Sequence, residues 1–96
     1  MKINYPENIS KWEIIRNYIN SNEIIERKII DKGGSTIDNY INMLINCEFI
    51  ERINRGKYKR KCTIPDMTSS MLQEIAYDKE KRIRFIRKIK LEKLIH

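Results

Sequence analysis

The sequence predicts a mainly α-helical fold with one small antiparallel β-hairpin, and three observations indicate this class. Apolar residues recur at helical spacing from Ile37 to Ile45. Two short strand-like runs then flank the turn Asn-Arg-Gly-Lys at residues 54–57, a pattern typical of a hairpin. No glycine or proline follows Pro65, so residues 66–96 are predicted to form one long helix or two helices end to end.

The first helix is predicted to begin at Ser10, because Ser10 and Glu13 have the spacing of a capping box. Its apolar stripe consists of Trp12, Ile15 and Ile19. Residues 20–22, Asn-Ser-Asn, are expected to end this helix, since their side chains compete for backbone hydrogen bonds.

The segment that follows is less clear from its pattern alone. Residues 23–26 fit either a short strand or the start of a helix. A short second helix is predicted over residues 27–32. It ends at Gly33-Gly34, because glycine just after a lysine in the last turn is a common stop signal.

The third predicted helix spans residues 35–46, and Ser35 can cap its first turn. Its apolar stripe contains Ile37, Tyr40, Ile41, Leu44 and Ile45. Its opposite face is polar and contains Ser35, Thr36, Asp38, Asn39, Asn42 and Asn46. Asparagine can donate and accept at once to adenine in the major groove of DNA, and threonine can contact a thymine methyl.

The hairpin that follows is strongly basic, and its second strand-like run extends from Tyr58 to Ile64. Between residues 52 and 61 it has no acid and carries the cations Arg52, Arg55, Lys57, Lys59, Arg60 and Lys61. Gly56 is expected to supply the positive φ of the turn. Strand alternation predicts that Lys57, Lys59 and Lys61 share one side, while Tyr58 and Cys62 face the core.

The carboxy-terminal segment, residues 66–96, can be capped by Asp66, Thr68 or Ser69, and its charged stretch 78–82 can mark a bend. Its apolar stripe, which includes Met71, Leu72, Ile75, Ile83, Ile86 and Ile89, must be buried somewhere. We expect it to pair with a second copy of the chain; folding back on its own domain is the alternative. Its many cations fit a solvated helix face, a contact with flanking DNA, or a basic helix for an acidic membrane or protein.

Composition and net charge favour some classes of function over others. The 96 residues carry a net charge of +7, which favours an anionic partner such as nucleic acid or an acidic membrane. Cys47 and Cys62 have no His or Cys at metal-ligand spacing and are expected to be free thiols. The only histidine is terminal and no catalytic motif occurs, so we expect no enzyme activity, no cofactor and no metal. No stretch has membrane-spanning length, which predicts a soluble, cytoplasmic protein without a membrane partner. A nucleic-acid partner would make it nucleoid-associated.

A helix followed at once by a basic hairpin resembles the recognition helix and wing of a winged helix-turn-helix DNA-binding domain. The resemblance covers roughly residues 9–65, and its most specific parts are S-T-I-D-N-Y-I-N-M-L and F-I-E-R-I-N-R-G-K-Y. It implies that Ile24-Ile25 pairs with the wing as a third strand. It also implies a winged domain over residues 1–65 and a dimerising helix or helix pair over residues 66–96.

The function implied by this resemblance is sequence-preferring binding of double-stranded DNA, as a small homodimeric transcriptional regulator or repressor. The residues expected at the DNA are Lys28, Ser35, Thr36, Asn39, Asn42, Arg55, Lys57 and Lys59. The chain departs from the family in having no Arg or Lys on the exposed face of the third helix, which predicts a modest or A·T-leaning sequence preference. The alternatives are a protein-interaction module of viral or mobile-element type that binds an acidic partner, and a replication or partition DNA binder.

Overall fold

The computed structural model describes residues 5–30 and 35–95, and in these ranges it contains five helices and a three-stranded sheet. The elements in chain order are α1 (Lys11–Ser21), β1 (Ile24–Glu26), α2 (Arg27–Ile30), α3 (Ser35–Asn46), β2 (Ile50–Asn54), β3 (Lys57–Arg60), α4 (Ser69–Tyr77) and α5 (Lys79–Ile95). This arrangement confirms the predicted class at the level of a mainly helical fold with a small antiparallel sheet. None of the described helices is long and apolar enough to cross a membrane.

Helix α1 begins where its capping signal predicts. The hydroxyl of Ser10 accepts a hydrogen bond from the backbone N–H of Glu13 at 3.2 Å, which satisfies one of the free donors of the first turn. The stripe Trp12, Ile15 and Ile19 is buried, as its spacing predicts.

The ambiguous segment after α1 forms strand β1, and α2 begins directly after it at Arg27. Two tyrosines hold these short elements. The backbone N–H of Glu26 donates to the hydroxyl of Tyr18 at 3.3 Å, and the hydroxyl of Tyr5 donates to the carbonyl of Ile30 at 2.6 Å. The predicted continuation of α2 to residue 32 and its stop at Gly33-Gly34 lie outside the described residues.

Helix α3 has the predicted bounds and buries Ile37, Ile41 and Leu44. Its end is a Schellman turn: the N–H of Glu48 donates to the carbonyl of Ile45, and the N–H of Phe49 donates to that of Leu44, both at 3.0 Å. Glu48 occupies the left-handed position of this turn with φ 60°. This position usually belongs to glycine, and the turn leads the chain directly from α3 into β2.

The sheet has the order β1-β3-β2 and both pairings are antiparallel. Ile25 and Arg52 both pair with Tyr58, so the hairpin strand β3 lies in the middle of the sheet. Gly56 has φ 74°, which confirms the predicted turn. The register shifts between Arg52 and Asn54, a β-bulge next to the turn.

Strand β3 is shorter than predicted and ends at Arg60 rather than near Ile64. A side chain replaces the ladder beyond this point: the amide of Asn20 donates to the carbonyl of Ile64 at 3.0 Å and accepts from its N–H at 2.8 Å. Because Ile64 finds both partners on α1, it needs no neighbouring strand.

The carboxy-terminal segment forms two helices with a break at Asp78. Thr68 caps α4 by accepting from the N–H of Met71 at 3.2 Å. The carboxylate of Asp78 accepts from the N–H of Lys81 at 3.2 Å, so the residue that ends α4 also caps α5.

A single hydrophobic core contains residues from α1, α3, the sheet and α4. Leu72 and Ala76 of α4 are buried in it, and the indole N–H of Trp12 donates to the carbonyl of Met67 at 2.7 Å. From α5, Phe85 meets Phe49 edge to face with ring centroids 5.6 Å apart. Helix α4 therefore contributes to the same core as the preceding residues, and the predicted boundary at residue 65 stays a prediction.

Candidate nucleic-acid interface

The outer face of α3 is polar and open. Asn39, Asn42 and Asn46 are exposed, while the apolar side of the helix is packed into the core. Since three amide side chains project from a helix whose other face is anchored, their positions are held by the fold. The side chains of Ser35 and Thr36, which belong to the same predicted site, lie outside the described residues.

An arginine of α2 connects this face to the hairpin. Arg27 donates to one carboxylate oxygen of Asp38, from Nε at 3.0 Å and from Nη2 at 2.6 Å. The backbone N–H of Arg27 donates to the carbonyl of Gly56 at 2.9 Å. The first turn of α3, the start of α2 and the tip of the hairpin are therefore joined through one residue.

A cleft lies beside this junction, between the start of α2 and the hairpin tip. Its lining contains Glu26, Arg27, Lys28, Arg52, Arg55, Gly56, Lys57 and Tyr58. Five of these residues are cations and one is an acid, so the cleft is strongly positive. Glu26 is within 3.7 Å of the amine of Lys28 and 3.9 Å of that of Lys57, and it draws these lysines from α2 and β3 toward each other.

All four cations of the predicted DNA-contacting set are exposed, namely Lys28, Arg55, Lys57 and Lys59. The first three line the cleft, and Lys59 lies further along β3. Tyr58 is buried as predicted and Cys62 is half-buried. Arg60 instead points toward α1, where its Nη1 donates to the carbonyl of Asn20 at 2.7 Å.

Two cations of the cleft are absent from the predicted set of DNA-contacting residues, Arg27 and Arg52. Both line the cleft, and Arg27 also contacts Asp38. The hairpin's charge already pointed to Arg52, whereas Arg27 and Asp38 are 11 residues apart on different helices. No helical spacing rule pairs such residues, because those rules apply within one helix.

The predicted dimerisation residues divide into three groups. Met71 and Ile83 are exposed, at 47% and 38%. Ile75, Ile86 and Ile89 are partly buried. Leu72 is fully buried in the core of its own chain, so its assignment to a contact between two chains is corrected here. The dimer itself stays a prediction.

The two cysteines are free thiols, as predicted, and both line a small hollow between the base of the sheet and α5. Burial raises the pKa of the Cys47 thiol to about 11, and the nearby positive charge of Arg82 opposes this rise. A raised pKa keeps the thiol protonated and unreactive at neutral pH. Among the described residues, no group of three or more His, Cys, Asp or Glu side chains could hold a metal ion.

No protein-family model, curated protein or solved structure matches this chain. Its function is therefore inferred from the geometry and charge of the described residues. Those residues place hydrogen-bonding amides on one helix next to a positive cleft on a hairpin. Such a pair of surfaces suits a ligand that is negatively charged and also presents many hydrogen-bond donors and acceptors.

Proposed function

We propose that the chain binds double-stranded DNA with a sequence preference and acts as a small transcriptional regulator with a winged helix-turn-helix fold. One observation carries this proposal. Arg27 joins Asp38, on the amide-bearing helix α3, to the basic hairpin tip at Gly56. The two surfaces that would read bases and hold phosphates are thus held in a fixed relation, as DNA recognition requires.

In this proposal α3 enters the major groove, which is about 12 Å wide and admits an α-helix. Asn39 and Asn42 are one helical turn apart on the exposed face and present both donors and acceptors. An asparagine amide matches the N6 and N7 edge of adenine, whereas the favoured partner of guanine is arginine. The exposed face therefore supports a preference for sites with A·T pairs.

The cleft beside the hairpin tip would contact the DNA backbone. Arg27, Lys28, Arg55 and Lys57 carry positive charge there, and the phosphates of one strand would replace the water around them. Binding of this kind releases counterions and supplies affinity without sequence information. Base contacts by α3 would then set the preference.

The proposal keeps the predicted arrangement of two chains on a two-fold related site. Met71 and Ile83 are the members of the predicted dimer set that are exposed, and a second chain could contact them. The mass of the DNA complex, measured with native mass spectrometry, tests this part separately from DNA binding.

The central test is in-vitro selection of duplexes from a random pool, followed by binding of the selected site to variants. Asn39→Ala with Asn42→Ala should leave the fold intact because both residues are exposed. It should weaken binding to the selected site by about 1–3 kcal/mol per lost base contact and leave binding to unrelated duplexes unchanged.

The matched control is Asn17→Ala, which removes an exposed amide from α1. It should change neither the affinity for the selected site nor the affinity for unrelated duplexes. If the pool yields no enriched sequence although duplex is retained, base readout by α3 is wrong. If no duplex is retained at all, the proposal fails, and an acidic protein becomes the better-supported partner of the basic hairpin.

A further inference from the structure

The positive charge of the chain is concentrated in two places. Residues 79–95, which form α5, contain eight Lys and Arg against two Glu, a net charge of +6 in a chain of net charge +7. Residues 50–61 of the hairpin contain six Lys and Arg against one Glu, a net charge of +5. The remainder of the chain is acidic overall, so α5 is a second basic element that the proposed hairpin contact does not use.

The packing of α5 directs its cations to solvent. Phe85 and Ile89 pack against the core, and Phe85 meets Phe49 there. Arg84, Arg87 and Lys88 are exposed, and they form no hydrogen bond or ion pair with another described residue. The outward side of α5 is therefore rich in cations, and it also exposes the apolar side chains of Ile83 and Leu91, at 38% and 61%.

The basic surface of α5 is connected to that of the hairpin. Lys57, Lys59 and Lys61 alternate along β3 and its extension, and all three are exposed. At the base of the sheet, the Glu48 carboxylate lies 3.4 Å from the amine of Lys61 and 4.0 Å from that of Lys90 on α5. We define the β3–α5 ridge as Lys57, Lys59, Lys61, Lys90, Arg87 and Arg84.

The β3 part of this ridge is connected to α3 at both of its ends. At the hairpin tip, Arg27 connects Gly56 to Asp38 in the first turn of α3. At the base, Glu48, which directly follows the end of α3, contacts the lysines of the ridge. Residues 57–61 of the ridge and the amide-bearing helix therefore run in the same sense, from the hairpin tip toward the base of the sheet.

We propose that the β3–α5 ridge is an extended phosphate-binding surface, which contacts the DNA backbone beyond the groove occupied by α3. The proposal rests on the proposed function, since it needs a duplex aligned by α3. Four acids lie at this ridge: Glu26 beside Lys57, Glu51 opposite Lys59 on β2, Glu48 between Lys61 and Lys90, and the exposed Glu80 at the start of α5.

The same observations disfavour two other binding partners for the outward face of α5, a second copy of the chain and a bilayer. A second copy that paired the full length of α5 with α5 would bring two helices of net charge +6 together, whereas the dimer contact of the proposed function involves Met71 of α4 and, on α5, only Ile83. A bilayer would need a continuous free apolar face, whereas Phe85 and Ile89 pack against the core and the exposed Ile83 and Leu91 lie among lysines and arginines. A polyanion needs only the exposed cations.

The test compares two variants with the same net charge, +5 instead of +7. Arg84→Gln with Arg87→Gln removes two ridge cations, whereas Lys11→Glu changes an exposed residue at the start of α1. Two lost phosphate contacts should lower the slope of log K against log salt by about 1.8. When salt rises from 50 to 200 mM, the DNA association constant of the arginine variant should therefore fall by a factor about twelve times smaller than that of the unmodified protein.

Lys11→Glu should leave the slope unchanged, and sequence preference should be the same in all three proteins. A hydroxyl-radical footprint should lose protection only at the flank in the arginine variant. Glu48→Gln should act in the opposite direction, with tighter binding and a steeper slope, because it frees two ridge lysines for phosphates.

Failure of this inference is distinguishable from failure of the proposed function. If the unmodified protein does not bind duplex, the proposed function itself is wrong. If it binds but the arginine variant keeps its slope and footprint, or if Lys11→Glu lowers the slope equally, the ridge assignment is overturned. Binding to phosphatidylserine vesicles that the arginine variant alone loses, with duplex binding unchanged, would assign α5 to a membrane surface instead.

Discussion

Single side chains connect distant parts of this chain, and Asn20 is the clearest case. Its amide both donates to and accepts from the backbone of Ile64, while its own carbonyl accepts from Arg60. Three polar groups of the segment 60–64 are thus paired at one residue of α1. A polar residue that reads as a helix breaker in the sequence therefore fixes where the hairpin ends.

Leu72 and Met71 are neighbours in the chain with opposite expected roles. Leu72 is fully buried and Met71 is 47% exposed. Leu72→Ala should lower the free energy of unfolding by about 2–5 kcal/mol, because it leaves a cavity in the core. Met71→Ala, the control, should change it by about 0.5 kcal/mol or less.

Urea denaturation of both variants at several protein concentrations measures this difference. The loss for Leu72→Ala should not depend on protein concentration, since the side chain packs within one chain. If the loss in free energy of unfolding becomes smaller as protein concentration rises, Leu72 instead contributes to an interface between two chains.

At the scale of elements, two turns determine how α3 and the hairpin meet. The turn after α3 carries Glu48 at φ 60°, and the hairpin turn carries Gly56 at φ 74°. The first is a strained position for a residue with a side chain, and the second uses the residue that adopts it without cost.

Gly56→Ala should lower the free energy of unfolding by about 1 kcal/mol. The reason is the backbone alone, because a β-carbon added at Gly56 would meet no atom within 4 Å. Thermal or chemical denaturation measures the change, and Gly56→Asn is the control, since asparagine tolerates the left-handed region. If alanine and asparagine are equally well tolerated, the conformation of the turn does not limit stability.

At the scale of the whole molecule, the carboxy-terminal helices belong to the same core as the rest. Met67, Leu72 and Ala76 are buried in the cluster that also contains Trp12. The indole N–H of Trp12 finds its acceptor at Met67. A fragment of residues 1–65 therefore loses both apolar contacts and a buried hydrogen bond.

We expect a fragment of residues 1–65 not to fold cooperatively. Removal of α4 exposes apolar surface in a core that is small for a domain of this length. Circular dichroism with thermal melting tests this, and a fragment of residues 1–78 is the control, because it keeps α4 and loses only α5. A cooperative transition in the shorter fragment would show that residues 1–65 form an independent domain after all.

The accuracy of the sequence-based predictions followed the range of the interactions involved. Helix α3 was predicted with its observed bounds because its stripe repeats over twelve residues. The end of β3 was predicted too late, because the side chain that satisfies Ile64 lies 44 residues away. For the candidate site, the exposure of Asn39 and Asn42 followed from helical periodicity, whereas the position of Arg27 did not.

The sequence by itself determined the helices, the basic hairpin with its glycine turn, and the polar face of α3, because each depends on spacing between near neighbours. Only the tertiary structure decided that α4 completes the core, that Arg27 joins α3 to the hairpin, and that the cations of α5 continue those of β3. These relations depend on how apolar faces pack against one another, and packing brings together residues whose separation along the chain carries no periodic signal.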